Sequence, residues 1–356
     1  MLDAHKVAID IYYLPESGRN VGKFTAAYKA GLKYFSSAYG QYPCNNIRLA
    51  ETSNYSRREA STATLDTYAE YNGWNAWFKD ESQFDYLYFM TARNLAQQWW
   101  RFQVAPNNTV GSMVIPEGLA NYDGLVMVEK KYGKANMRWI LLDQLWEYLF
   151  VRRRLIEKEH PLVTANLSFV WGGKASVALY GLRDLIGEDS LNSALREFKN
   201  AYAFKKQPPF AGSNDLYRYL QKHVPDSLQY YLTDTWQKTT FYDSKVTSVK
   251  AVPTGNKNEY RVTLKVNIDK VWIDGKGNDV PALAMNDYID IGILGADTKD
   301  KAGRDQVNML YLKKYKLTRG THEFSIILKG KPASVGVDPL GLLIDRNPND
   351  NLKNVE

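Results

Sequence analysis

The period of the apolar positions changes twice along the chain. Val7, Ile9 and Ile11 alternate with Ala8 and Asp10, which predicts an opening strand. Pro15, Gly18 and Asn20 break it. Residues 21–39 then carry Phe24, Ala27, Tyr28, Gly31, Leu32, Phe35 and Ala38 at helical spacing, and Gly40 and Pro43 end that helix. A second strand is predicted at Ile47–Ala50, and residues 54–83 are polar, aromatic and without a period. From Phe84 to about residue 238 the helical period dominates, with helices predicted over 84–101, 114–132, 134–158, 174–187, 189–201, 213–222 and 225–238. Gly133 and Gly187 fall where helix C-termini place glycine, and Pro225-Asp226-Ser227 suits a helix start.

After about residue 240 the period becomes two. Tyr260, Val262, Leu264, Val266 and Ile268 alternate strictly with polar residues, the pattern of a strand with one wet face. Further strands are predicted at Ile289–Leu294, Met309–Tyr315 and Phe324–Leu328, with a turn at Asp274-Gly275-Lys276-Gly277. The expected fold class is therefore α+β: a mixed, helix-rich domain over residues 1–240 and an all-β sandwich over 241–356.

Composition narrows the function classes. A chain of 356 residues suits two domains, and its 25 Tyr and 9 Trp argue for a large core or a cleft and against disorder. The net charge of +7 raises nucleic acid as a partner. No basic stripe interleaved with aromatics and no nucleic-acid motif accompanies it, so none is expected. The run Arg152-Arg153-Arg154 stands among Glu147, Glu157 and Glu159 and reads as a solvated helix face. Cys44 is alone, which excludes an intramolecular disulfide. The N-terminus does not read as a signal peptide, and no run of about 18 apolar residues suggests a membrane span. The chain reads as soluble as given, and as a possible piece of something larger.

The stretch "MTARNLAQQWWRFQV", residues 90–104, carries the chemistry question. Zinc hydrolases place two His at i and i+4 on one helix face, with a Glu after the first as general base. Here "NLAQQWW" resembles the zinc helix of the membrane alanyl aminopeptidase family, peptidase family M one, a gluzincin family. "PEGLANYDGLVMVEKKYG" resembles its third-ligand helix, and "KASVALYGLRDLIGEDSLNSALREF" the stretch that begins near its catalytic tyrosine. "GVDPLGLLIDRNPNDN" resembles the end of the aminopeptidase-like domain at the C-terminus of Bacteroidetes-type ABC transporter permeases.

The resemblance implies a thermolysin-like domain followed by a β-sandwich. It also implies which positions have changed. The two histidine positions are Arg93 and Gln97, and the general-base position is Asn94. The third ligand is kept as Glu117, the tyrosine position falls at Gly172, and Lys174 survives beside Ala175. "TYAEYNGW" keeps Tyr68, Glu70 and Gly73 as the cleft residues of that family's substrate region. Arginine offers only donors, asparagine takes no proton from water, and glutamine is a poor zinc ligand. No zinc is expected, and no catalytic set is intact. His5, His160, His223 and His322 show no paired spacing that would replace the lost ligands.

If Glu117 still points into the former metal cavity, Arg93 is its natural partner, with Gln97 beside it. Alternatively Glu117 caps the start of its helix. Trp99 and Trp100 are expected in the core. Glu70 either receives a peptide N-terminus, as in the family, or is a solvated carboxylate. The resemblance implies an extracytoplasmic, periplasmic-face domain of a bacterial membrane transport protein, with peptides, transporter subunits or the rest of a longer membrane chain as partners. The rival readings are a hydrolase with another site and a purely structural assembly module.

Overall fold

The computed structural model describes residues 6–56, 59–77, 83–155 and 158–355, which form two compact units. The first comprises Met1–Glu81, Asp85–Lys131 and Leu162–Leu232; the second comprises Ser82–Phe84, Tyr132–Pro161 and Thr233–Glu356. The sequence places the boundary near residue 240. In the structure the chain enters the second unit for good at Thr233, and the segment 132–161 already belongs to it. Among the described residues no helix is long and apolar enough to cross a membrane.

The first unit is built on a four-stranded sheet in the order β1 (Ala8–Tyr12), β2 (Asn46–Thr52), β4 (Leu65–Ala69), β3 (Ala60–Thr62). The first three strands run parallel, and β3 pairs antiparallel with β4. Both β3 and β4 lie in the segment read from sequence as irregular. They are short, and a contact from elsewhere pins them. The Gln98 amide donates to the Thr62 carbonyl at 2.9 Å and accepts from the Thr64 N–H at 3.0 Å.

Gln98 stands on α2 (Tyr86–Trp100), which packs on α1 (Val21–Tyr39). The two approach closely at Gly31, where a Cβ would lie 2.7 Å from Leu95. Asp85 caps α2 by accepting the Tyr88 N–H. Trp99 and Trp100 are fully buried, with indole N–H groups on the Gly40 carbonyl and the Asp123 carboxylate. Then follow α3 (Gly118–Tyr132), α5 (Ala175–Ile186), α6 (Glu188–Tyr202) and α7 (Ser213–His223), while α4 (Met137–Arg152) belongs to the second unit. Helix α3 begins four residues later than its period predicts. A 3-10 turn at Ser112–Val114 and Pro116 precede it, so Glu117 is the last residue before the helix. The single helix expected over 225–238 is instead a 3-10 turn, the short helix α8 (Gln229–Leu232) and a π-turn at Thr233–Gln237.

In the second unit, β10 (Asn286–Leu294), β13 (Met309–Thr318), β15 (Ser334–Val337) and β16 (Leu352–Asn354) form one antiparallel sheet, in the order β13-β10-β15-β16. A second sheet has the order β14-β7-β6, from β6 (Lys245–Pro253), β7 (Glu259–Ile268) and β14 (Gly320–Lys329). Val262, Leu264, Val266 and Ile268 of β7 share one apolar cluster with Ile289, Ile291 and Ile293 of β10. The strict alternation of β7 is thus the inner face of a sandwich. Smaller ladders join β5 (Thr240–Tyr242) to β8 (Lys270–Ile273) and β9 (Asp279–Pro281), and β11 (Thr298–Lys299) to β12 (Asp305–Gln306).

Helix α4 ends in the arginine run. Arg152 pairs with the buried Glu159 at 2.8 Å, while Arg153 and Arg154 lie over Trp146 and Phe150; Glu157 lies outside the described residues. The segment Gly336–Asn351 is held by its own turns and by backbone bonds to residues 242–246. Asp338 accepts the Leu342 and Leu343 N–H groups, and Asp345 accepts those of Ser244 and Asn347. Its polar residues therefore serve as turn and strand anchors within the fold.

Candidate functional site

Arg93, Gln97 and Arg101 recur every four residues, so α2 projects the first two from one face and Arg101, its C-cap residue, continues that row. Glu117 meets that face from the start of α3. Arg93 Nη2 lies 2.5 Å from Glu117 Oε2, and Arg101 Nη2 donates to Glu117 Oε1. Gln97 Nε2 stands 3.5 Å from Oε2. The expected Arg93–Glu117 pair is therefore present, and Arg101 completes it as a fork of two guanidinium groups on one carboxylate. Glu59 lies 3.8 Å from Arg93 Nη1, so two cations face two carboxylates and the cluster is neutral as a unit. The Arg93 and Glu117 side chains retain 17% and 15% exposure, which makes this a half-buried pair.

Asn94 is buried and bonded through both ends of its amide. Its carbonyl oxygen accepts from Arg93 Nη1 at 3.0 Å, and its amide donates to the Tyr68 hydroxyl at 2.8 Å. Burial drives the Tyr68 phenol up, so it stays protonated. Tyr68 is wedged over Gly73, where a Cβ would lie 2.6 Å from Tyr68 Cβ; a side chain there would expel the tyrosine. Tyr68, Arg93, Asn94, Gln97 and Glu117 thus form one connected network.

The remaining predicted positions lie around other contacts. Glu70 accepts from Asn54 at 2.8 Å in the turn after β4. Asn54, Tyr55, Ala69, Tyr71 and Asn72 line a concavity of about 720 Å³ beside it, with Tyr55 97% and Tyr71 70% exposed. Gly172 belongs to a π-turn, Val170–Lys174, that leads into α5. A Cβ on Gly172 would meet only the Asn121 amide, at 3.4 Å, so that position has room for a larger residue yet offers no donor. Lys174 is buried in the same turn. Ala175 packs against Gly118, joining the start of α5 to that of α3. His223 pairs with Glu197, His322 Nε2 lies 2.8 Å from the Thr318 carbonyl, and His5 lies outside the described residues.

Arg101 and Glu59 escaped the sequence reading. The signal for Arg101 was available in its spacing of eight from Arg93. Glu59 carried none, because the tertiary fold brings it to α2.

No family model matches the chain, and no curated protein matches it in sequence. In structure, it is similar to Legionella pneumophila aminopeptidase A, solved in complex with aspartic acid, with a TM-score of 0.51 over 94% of this chain at 12% identity. The fold is aminopeptidase-like. The chain spans 36% of the length of that protein.

Zinc is the metal that the resemblance assigns to an aminopeptidase-like fold of this kind, and the side chains at its positions do not fit it. Arg93, Asn94 and Gln97 supply mainly donors, and both oxygens of Glu117 are engaged by the guanidinium groups of Arg93 and Arg101. A cation entering here would displace two fixed positive charges. Among the described residues no group of three or more His, Cys, Asp or Glu is arranged to hold a metal.

Proposed function

We propose that this aminopeptidase-like chain is a binding domain without peptidase activity. The observation that carries the proposal is the double guanidinium clasp of Arg93 and Arg101 on Glu117, the residue that the resemblance assigns as a zinc ligand. General-base chemistry has no support at Asn94, whose amide is spent on Tyr68 and Arg93. The carboxylates with strongly raised pKa values are all buried and hydrogen-bonded within the fold: Asp66 to Tyr28, Asp123 to Tyr39, Asp338 to the Leu342 and Leu343 N–H groups, and Asp345 to those of Ser244 and Asn347. That weighs against a hydrolase with a different site.

The ligand we propose is an extended peptide, held where Tyr55 and Tyr71 flank the concavity beside Glu70. Exposed tyrosines with adjacent amides supply apolar faces and hydrogen bonds together, which favours binding over a purely structural role. The setting we propose is the extracytoplasmic side of a bacterial inner membrane, within a transport protein. Its support is the resemblance of Gly336–Asn351 to the end of the permease-borne domain.

The first test is elemental analysis after zinc exposure, paired with hydrolysis of aminoacyl anilides and titration with short peptides. Zinc near zero, no turnover and saturable peptide binding weakened by Tyr71→Ala are expected. One tightly held zinc per chain with turnover would overturn the reading. For the setting, added protease should cleave the chain in spheroplasts without lysis; full protection there would refute it.

A further inference from the structure

The arginines of this chain are mostly accounted for. Arg93, Arg101, Arg152, Arg183, Arg304, Arg319 and Arg346 each hold a carboxylate. Arg138, in the first turn of α4, does not. Its Nε is buried with no hydrogen-bond partner, and its guanidinium forms no ion pair among the described residues. A guanidinium remains charged, so the partial burial of Arg138 carries a desolvation cost that the attraction of Asp297 and Asp338 offsets only in part. Its place in the helix adds to the cost, because the first turn is the positive end of the helix dipole. Asn136, just before α4, does not cap it; its side chain is spent on the Val307 N–H and on Gln306.

Two carboxylates feel Arg138 without engaging it. Asp338 has both oxygens on its own turn, at 2.9 Å from the Leu342 and Leu343 N–H groups. Asp297 is exposed at the mouth of the cavity that Arg138 lines. This cavity holds about 220 Å³, and its walls include Leu294, Val307, Ser334 and Leu352. It is smaller than a drug-sized pocket, mixes aliphatic side chains with a larger share of polar groups, and carries one fixed cation.

We infer that the Arg138 cavity is a binding site for a small monocarboxylate with a short aliphatic body. A guanidinium offers two parallel N–H donors that match a carboxylate in bidentate geometry. Leu294, Val307 and Leu352 give a chain of a few carbons an apolar side to lie against. Asp297 at the mouth disfavours a second negative charge, which selects against phosphate and dicarboxylates. Two sources supply this chemistry: a free short-chain acid, and the C-terminal carboxylate of a peptide. The site stands apart from the Arg93–Glu117 cluster in residues and in unit, and does not depend on the binding function proposed above.

The test is calorimetric titration of the full chain with butyrate, butylamine, trialanine and trialanine amide. Saturable, one-to-one binding of butyrate, of trialanine, or of both is expected, with none for butylamine. Butyrate alone points to a free acid; trialanine without its amide points to a peptide terminus. Arg138→Gln should weaken binding by roughly tenfold or more without lowering the melting temperature of the unliganded protein. Should that variant not fold, Asp297→Asn serves instead and is expected to tighten butyrate binding. No saturable binding of either acid, equal binding of the amide, or affinity unmoved by both variants would overturn the assignment.

Discussion

Glu117 Oε2 lies 2.5 Å from Arg93 Nη2, while its other oxygen receives Arg101. One carboxylate thus holds α2 and α3 together through two arginines. Arg93→Gln should destabilise the first unit by about 1–3 kcal/mol, between the values for exposed and buried pairs. Glu117→Gln should cost at least as much, because it leaves two guanidinium groups facing one another. The double variant should be less damaging than the sum of the two, with a coupling of about 1 kcal/mol or more in urea unfolding. Strict additivity would show that the pair contributes nothing as a pair.

The same cluster predicts what it takes to make a metal site. Arg93→His, Asn94→Glu and Gln97→His together restore two imidazoles at i and i+4 and place a carboxylate between them. Glu117 would still be held by Arg101 in that variant. Adding Arg101→Ala frees it. Zinc stoichiometry should therefore stay low in the triple variant and approach one per chain only in the quadruple variant. Equal zinc in both would mean that Arg101 does not compete for Glu117.

The period of the apolar residues made the helices readable, because each buries one face. It also made β7 readable, since its inner face is the sandwich core. The strands β3 and β4 were not, because they are short and are held by pairing with β2 and by Gln98, more than thirty residues away. The Arg93–Glu117 pair could be read because two changed positions and one kept one leave few partners for a buried carboxylate. The Arg138 cavity could not, because its walls come from residues 138–139, 294–297, 307, 333–334, 352 and 354, which only the fold assembles.

The second unit contains a costlier ion cluster. Lys270 Nζ lies 2.6 Å from Asp234 and 2.5 Å from Asp287, and the Tyr242 hydroxyl donates to Asp287 at 2.7 Å. All three charged side chains are nearly enclosed. Lys270→Met would leave two carboxylates without their shared cation, at a cost of about 3–5 kcal/mol. Replacing Asp234 and Asp287 with leucine in the same chain should recover much of that loss. A cost of Lys270→Met below about 1 kcal/mol in urea unfolding would show that the cluster is not what holds this region.

Asp123 sets a pH dependence whose sign differs from that of an ordinary salt-bridged carboxylate. Burial raises its pKa from 3.8 to about 7, although the Tyr39 hydroxyl and the Trp100 N–H, both 2.6 Å away, favour the charged form. A raised carboxylate pKa means that the folded chain holds a proton which the unfolded chain has released. Between pH 3.8 and about 7, stability from this group therefore falls as pH rises, by up to about 1.4 kcal/mol per pH unit. Asp345, also raised by burial to about 7, acts in the same direction. Glu188 acts in the opposite direction: burial raises its pKa, but bonds from Lys130, Arg183 and Tyr34 bring it down to about 2, so its contribution is lost only in stronger acid. The clean measurement is therefore a difference. Urea stability of Asp123→Asn, subtracted from that of the wild type across this window, should show the wild type losing its advantage as pH rises. Parallel curves would mean that Asp123 does not hold its proton in the folded chain, and that the Tyr39 and Trp100 hydrogen bonds outweigh its burial.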